Sequence, residues 1–139
     1  YYFGKYFAAN ANYSWNVLNT ATDDPIVPAF NTPEHKYNLG VSGRNVPLNF
    51  LGSAVNEFGF SIAYKWIEGF IFEGSPQFTG FIDSYGLLDA QINTTIKPIN
   101  TTIKIGASNL LDNQVFQVYG GPRVGRLAYI SFTYNWTKK

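Results

Sequence analysis

Apolar and polar residues alternate along most of this chain with a period of two. From Lys5 to Val17 the odd positions carry Phe7, Ala9, Ala11, Tyr13, Trp15 and Val17, and the even positions carry Asn10, Asn12, Ser14 and Asn16. The same rhythm returns in Phe58–Trp66, where Phe58, Phe60, Ile62, Tyr64 and Trp66 are separated by Gly59, Ser61, Ala63 and Lys65. It returns again in Ala128–Trp136, where Ala128, Ile130, Phe132, Tyr134 and Trp136 are separated by Tyr129, Ser131, Thr133 and Asn135. Side chains alternate between the two faces of a strand, so each stretch reads as a strand with one apolar and one polar face. The pattern predicts six antiparallel strands near 4–18, 35–46, 55–67, 86–97, 101–109 and 125–136. They exceed the usual length of about 5–6 residues and suit strands that cross a bilayer with about 9–11 residues. No stretch has a helical period, although Asn109–Asp112 suits a single turn.

The connections alternate in length. Pro98-Ile99-Asn100 makes a tight turn and Pro47–Ala54 a short link, whereas Thr20–Pro33, Glu68–Tyr85 and Leu110–Gly125 are long. Short turns at one rim and long loops at the other is the arrangement of outer-membrane barrels. With the last strand ending in the periplasm, all three long loops fall outside the cell. Tyr13, Trp15, Tyr37, Tyr64 and Trp66 then fall at the outer ends of the apolar rows, and Phe58, Tyr134 and Trp136 at the inner ends. Aromatic rings at both ends of an apolar band match the two interfaces of a bilayer.

Composition sharpens this reading. Aromatic residues make up 18% and charged residues only 14%, against about 25% charged in soluble domains. That ring content rules out a disordered chain. A soluble β-sandwich or lipocalin-like barrel also alternates, but its solvent face would carry charges where this chain has Asn, Ser, Gly and Thr. No apolar stretch reaches the roughly 18 residues of a membrane-spanning helix. Lys plus Arg total 10 and Asp plus Glu total 9, so there is no field to hold nucleic acid. One His and no Cys argue against a zinc or haem site, and no cofactor is expected. The chain opens Tyr-Tyr-Phe-Gly with no initiator Met, which suits a mature or truncated piece of a longer protein.

Enzymatic chemistry has little to stand on. Asp89 is the only acid expected mid-strand on the polar face, with Glu57 at a strand start, so a carboxylate pair is not expected. His35 is the only partner available to a serine nucleophile and lies at a strand start on the outer rim. Gly120-Gly-Pro-Arg-Val-Gly125 lacks the Lys-Ser/Thr of a phosphate loop and reads as a turn. Asp23-Asp24 is a weak calcium signal and reads first as a solvated loop tip. Asn-x-Ser/Thr sequons at Asn12, Asn93, Asn100 and Asn135 fall in strands or a tight turn and reflect an Asn/Thr-rich polar face. The chain is expected not to be an enzyme.

The polar ladder is the surface with functional promise. Asn10, Asn12, Lys36, Arg44, Lys65, Asp89, Gln91, Asn93 and Lys104 are its principal members, with a net charge of +3 from four basic groups and one acid. They are expected to face a lumen, where they would touch a plug or a ligand. Phe60, Ile62, Tyr64, Trp66, Ile92, Ile105, Ile130, Phe132 and Trp136 are expected to face lipid.

Four segments in order carry a family resemblance. They are Pro33-Glu-His-Lys-Tyr-Asn-Leu-Gly40, Ser84-Tyr-Gly-Leu-Leu-Asp-Ala-Gln-Ile92, Ile103-Lys-Ile-Gly-Ala-Ser-Asn-Leu-Leu-Asp112 and Val118-Tyr-Gly-Gly-Pro-Arg-Val-Gly-Arg-Leu-Ala-Tyr-Ile-Ser-Phe132. Together they resemble the C-terminal end of TonB-dependent outer-membrane receptors. The variant is similar to SusC-like receptors with a carboxypeptidase-regulatory-like extension. The resemblance implies an all-β, antiparallel transmembrane β-barrel of about 22 strands with a plug inside, of which residues 1–139 would be the last six strands. It implies energised uptake of a scarce solute across the outer membrane of a Gram-negative bacterium. The partners it implies are outer-membrane lipid, the plug and remaining strands, TonB, and a surface lipoprotein or other outer-membrane subunits. Such barrels usually end on an aromatic residue, whereas here Thr137-Lys-Lys139 follows Trp136. Two other functions stay open on the residues alone: a structural or assembly subunit of an outer-membrane complex, and a small stand-alone ligand-binding β-barrel.

Overall fold

The computed structural model describes residues 1–17, 31–47 and 55–136. The Thr20–Pro33 loop, apart from its last three residues, and the Pro47–Ala54 link beyond Pro47 lie outside them, as do Asp23 and Asp24. The strands in chain order are β1 (Tyr2–Phe3), β2 (Phe7–Trp15), β3 (His35–Val46), β4 (Val55–Ile67), β5 (Phe70–Phe72), β6 (Gly80–Ile82), β7 (Tyr85–Ile96), β8 (Thr101–Ser108), β9 (Val115–Phe116), β10 (Arg123–Val124) and β11 (Leu127–Tyr134). No α-helix occurs among the described residues. Seven strands form one sheet in the order β1-β2-β3-β4-β7-β8-β11, with every pairing antiparallel. The order is a meander: each long strand pairs with the long strand that follows it, as alternating faces and short turns dictate.

The six expected strands are all present, with corrections at the edges. β3 and β4 have the expected limits. The first strand is not continuous from residue 4. Gly4 takes φ +62°, turns the chain, and leaves β1 paired to the start of β2 through Tyr2–Ala8 and Phe3–Phe7. Two of the long connections carry short hairpins of their own, β5–β6 and β9–β10, where sequence alone suggests loop. Strands of three and two residues are too short to show a period.

Turn chemistry explains the sheet's ends. Between β7 and β8, Lys97–Ile99 forms a single 3₁₀ turn around Pro98, and Asn100 closes it at φ +48° with its N–H on the Lys97 carbonyl. Asn accepts the left-handed region more readily than most residues. At the other rim the Asp112 N–H bonds the Asn109 carbonyl at 2.8 Å, so the expected turn over Asn109–Asp112 is present. In β3 the pairing passes from Gly43–Phe60 to Val46–Phe58, with Asn45 at φ +53°. Three steps on one strand oppose two on the other, which is a β-bulge.

Two packed layers enclose the core of an ordinary soluble domain. Here the long strands form one seven-stranded sheet, the two hairpins are small two-stranded sheets at its rim, and the only buried hydrophobic residues among the described residues are Ile82, Tyr85 and Ala107. Ile82 and Tyr85 lie at the long-loop rim, at the end of β6 and the start of β7.

Candidate functional site

Residues directly opposite one another in an antiparallel pair share a face. That rule carries one apolar row across the sheet. Trp66 pairs with Tyr37 and Gly86, Tyr64 with Leu39 and Leu88, Ile62 with Val41 and Ala90, and Phe60 with Gly43 and Ile92. Beyond β7, Ile92 pairs with Ile105 and Ile105 with Ile130, while Ile103 pairs with Phe132. The strand residues Phe60, Ile62, Tyr64, Trp66, Ile92, Ile105, Ile130 and Phe132 therefore occupy one face. Trp136 lies just past β11, and its ring contacts Tyr134 at a centroid distance of 6.2 Å. No layer of described residues covers this face: Ile62 keeps 46% of its surface exposed, Ile92 49% and Ile130 59%.

Aromatic side chains gather at both ends of this face. At the long-loop rim Tyr37 stacks on Trp66 at 5.3 Å and lies 6.1 Å from Tyr64. In the same rim the His35 ring stacks between Tyr13 at 5.9 Å and Trp15 at 6.5 Å. At the short-turn rim Phe60 lies 6.2 Å from Phe7 and 6.4 Å from Phe58. Along β4 the two groups are eight residues apart, from Phe58 to Trp66. At about 3.3 Å per residue that is roughly 26 Å along the strand, and about 20 Å in height for a tilt near 40°.

The opposite face carries the polar ladder. Asn10 pairs with Gly40, Asn12 with Asn38, Lys36 with Ser14, Lys65 with Asn38, Asp89 with Ala63, Gln91 with Ser61, and Asn93 with Gly59 and Lys104. Arg44 lies within the bulge between Gly43 and Val46, without a register partner on β4, and its N–H bonds the Tyr6 carbonyl at 2.8 Å. The ladder is internally packed. Asn10, Asn93 and Tyr129 lie over Gly40, Gly59 and Gly106, where a methyl group would collide with them. Asn38 Nδ2 donates to Asn12 Oδ1 at 2.7 Å, and Tyr129 Oη donates to Gln91 Oε1 at 2.9 Å.

Asp89 is a fastening for the adjacent loop. Its Oδ1 accepts the Asn109 backbone N–H at 2.8 Å, and Asn109 is itself buried. Asn109 Nδ2 donates to the carbonyls of Asn113 and Val124, and its Oδ1 accepts the Asn113 N–H. The Asn-Leu-Leu-Asp-Asn segment thus pins the 109–124 loop to the top of the sheet. Lys36, Arg44, Lys65 and Lys104 have no acidic partner among the described residues. Lys36, Lys65 and Lys104 therefore line the polar face without an acidic partner among the described residues.

The chain matches no protein-family model, and no curated protein or solved structure matches it significantly. The geometry of the two faces therefore carries the functional reading.

The remaining candidates resolve into structure. His35 sits within the aromatic row, with Nδ1 at 2.7 Å from Tyr13 Oη and Nε2 at 3.7 Å from Glu34 Oε1. Among the described residues no serine bonds its ring. Gly120-Gly-Pro-Arg-Val-Gly125 forms the tip and return strand of the β9–β10 hairpin, with Gly120 at φ +74°. No cluster of three or more metal-ligating side chains occurs among the described residues. Sequence reasoning missed the joining of the two loop hairpins, because it runs through ring-on-glycine contacts between residues about forty positions apart, Gly80–Tyr119 and Phe78–Gly120.

Proposed function

We propose that residues 1–139 are part of the lipid-facing wall of an outer-membrane β-barrel of the TonB-dependent receptor kind, which takes up a scarce solute. One observation carries the reading: an uncovered apolar sheet face, bounded by aromatic rows at both rims, lies back to back with a polar face. In water an apolar surface of this extent would need a covering partner, since contiguous patches beyond a few hundred Å² are rare on soluble monomers. Lipid covers it without one. Aromatic rows about 20 Å apart in height, for a tilt near 40°, fit within the apolar band of about 25 Å in outer-membrane barrels. The cationic, hydrogen-bonded inner face suits a wall against a plug or a wet lumen.

The sheet's edges support membership of a larger closed wall. On β2 the even residues bond to β3, as the Asn16 N–H on the Glu34 carbonyl shows, so Ala11, Tyr13 and Trp15 turn their backbone groups to the open side beyond β1. On β11 the Asn135 N–H bonds the Asn100 carbonyl, so Ala128, Ile130, Phe132 and Tyr134 turn theirs outward. Unpaired backbone groups in hydrocarbon cost several kcal/mol each, so both edges need strands beside them. TonB, the plug, surface lipoproteins and other outer-membrane subunits belong to this reading as partners.

Cell fractionation and depth labelling test it. Single cysteines at Ile62, Ile92 and Ile130 should react with a bilayer-soluble maleimide and resist a water-soluble one, and cysteines at Ser61 and Ser131 should do the reverse. The full-length polypeptide should sediment with outer membrane. Recovery in a soluble fraction, or equal labelling on both parities, would refute the assignment. Solute uptake that persists after TonB deletion would refute the energised-transport part alone.

A further inference from the structure

The two hairpins in the long loops grip each other. Tyr119 of the β9–β10 tip covers Gly80 of β6, and Phe78, just before β6, covers Gly120 of that tip. A Cβ on Gly80 would run into the Tyr119 ring, and one on Gly120 would lie 2.6 Å from Phe78 Cδ1. Each loop thus offers a glycine to the other's ring. Such a reciprocal clasp joins the hairpins without an α-helix or a disulfide.

Between the hairpins and the start of β7 lies a cleft of about 700 Å³. That is within the range of about 300–1,000 Å³ typical of small-molecule sites. Its walls are held. Asn113 Nδ2 donates to the Gly86 carbonyl at 3.0 Å, and Asp112 Oδ1 accepts from Gln114 Nε2 and the Arg126 N–H. These bonds use the amide nitrogens of Asn113 and Gln114 and leave their side-chain carbonyls unengaged. Tyr85 lines the cleft and is 8% exposed, yet no described residue bonds its hydroxyl. Its hydroxyl oxygen keeps contact with solvent and is open to a ligand in the cleft. Two charges line the same cleft, Asp83 and Arg123, and neither has an opposite charge among the described residues. The Arg123 guanidinium lies over the Phe116 ring at 4.9 Å, which orients it while its N–H edges stay open.

We propose that this cleft binds a zwitterionic oligopeptide, with its carboxylate on Arg123 and its ammonium on Asp83. Arg forks match carboxylates in bidentate fashion, and a lone carboxylate pairs an ammonium. The aromatic faces of Phe116 and Tyr119 take the apolar side chains. The Tyr85 hydroxyl and the Asn113 and Gln114 carbonyls take backbone N–H groups. The volume suits about two to four residues. This deepens the receptor reading by naming a ligand class, and rests on it for the cleft opening outward.

Isothermal titration of the full-length polypeptide in detergent, with the peptides Ala-Phe and Ala-Phe-Phe-Ala, tests the proposal. At least one should bind, and Arg123→Gln or Asp83→Asn should each weaken it about tenfold or more. Amidating the peptide's carboxyl end should weaken wild type similarly, and Arg123→Gln should add little further loss on the amidated peptide, because both changes remove the same pair. Both substituted residues are exposed, and unchanged heat-modifiable migration confirms that the variants fold. Absence of binding by both peptides, equal binding by wild type and both variants, or equally tight binding of neutral maltotetraose would overturn the proposal. None of these outcomes bears on outer-membrane location, which fractionation reads separately.

Discussion

Ile62 offers a direct measure of what its face contacts. It lies four residues from Trp66 and four from Phe58 along β4, midway between the two aromatic rows. Four residues span about 13 Å of strand, or about 10 Å of height at a tilt near 40°, so Ile62 falls near the midplane of the apolar band. Its cross-strand neighbours are Val41 and Ala90, neither of which can solvate a charge. On the proposed lipid-facing reading, Ile62→Arg should therefore destabilise the full-length polypeptide by about 2–4 kcal/mol, the range for a cation on the lipid face at the midplane. Ser61 is the adjacent residue on the other face, between Ser42 and Gln91. Ser61→Arg places the same charge at nearly the same height against polar neighbours and should cost under about 1 kcal/mol. Reversible denaturant unfolding in lipid vesicles, followed by tryptophan fluorescence, reads both values. A difference of 2 kcal/mol between them is more than tenfold in the folding equilibrium. Equal costs, or a neutral Ile62→Arg, would refute the assignment of this face to lipid.

Three further outcomes follow from particular contacts. Asp89→Ala leaves the buried Asn109 N–H without an acceptor and should cost about 1–3 kcal/mol locally, read as faster amide exchange across 109–124 with the strands β4 and β7 unchanged. Gly80→Val drives a side chain into Tyr119 and should loosen the hairpin clasp, while Gly80→Val combined with Tyr119→Ala should recover part of the protection in amide exchange. Residues 1–139 expressed alone with an export signal should aggregate or be degraded, because the seven edge residues on β2 and β11 expose seven N–H and seven C=O groups. At several kcal/mol each in hydrocarbon, these exceed the roughly 5–15 kcal/mol stability of a typical domain, and a heat-modifiable, detergent-stable monomer would contradict that expectation.

Much of the sheet was legible in the sequence because its information is local. A period of two sets the face of every residue from Phe58 to Trp66 without reference to any neighbour, and Pro98 with Asn100 marks the β7–β8 turn by backbone sterics alone. Composition added the absence of charge that a solvent-facing sheet would need. Register, the bulge at Asn45 and the early turn at Gly4 were less accessible, because each depends on which residue of another strand lies opposite. The polar face divides the same way. Its membership follows from parity, but the loop-fastening role of Asp89 does not: only the tertiary structure brings its carboxylate to the Asn109 N–H. The cleft was the least legible feature. Phe78, Gly80, Tyr85, Tyr119 and Arg123 are scattered over three loop and strand ends with no common period, and rings meet glycines only once the meander has brought those ends to one rim. Local alternation determines a two-faced strand; what the strand ends hold together is decided by contacts between residues distant in the chain.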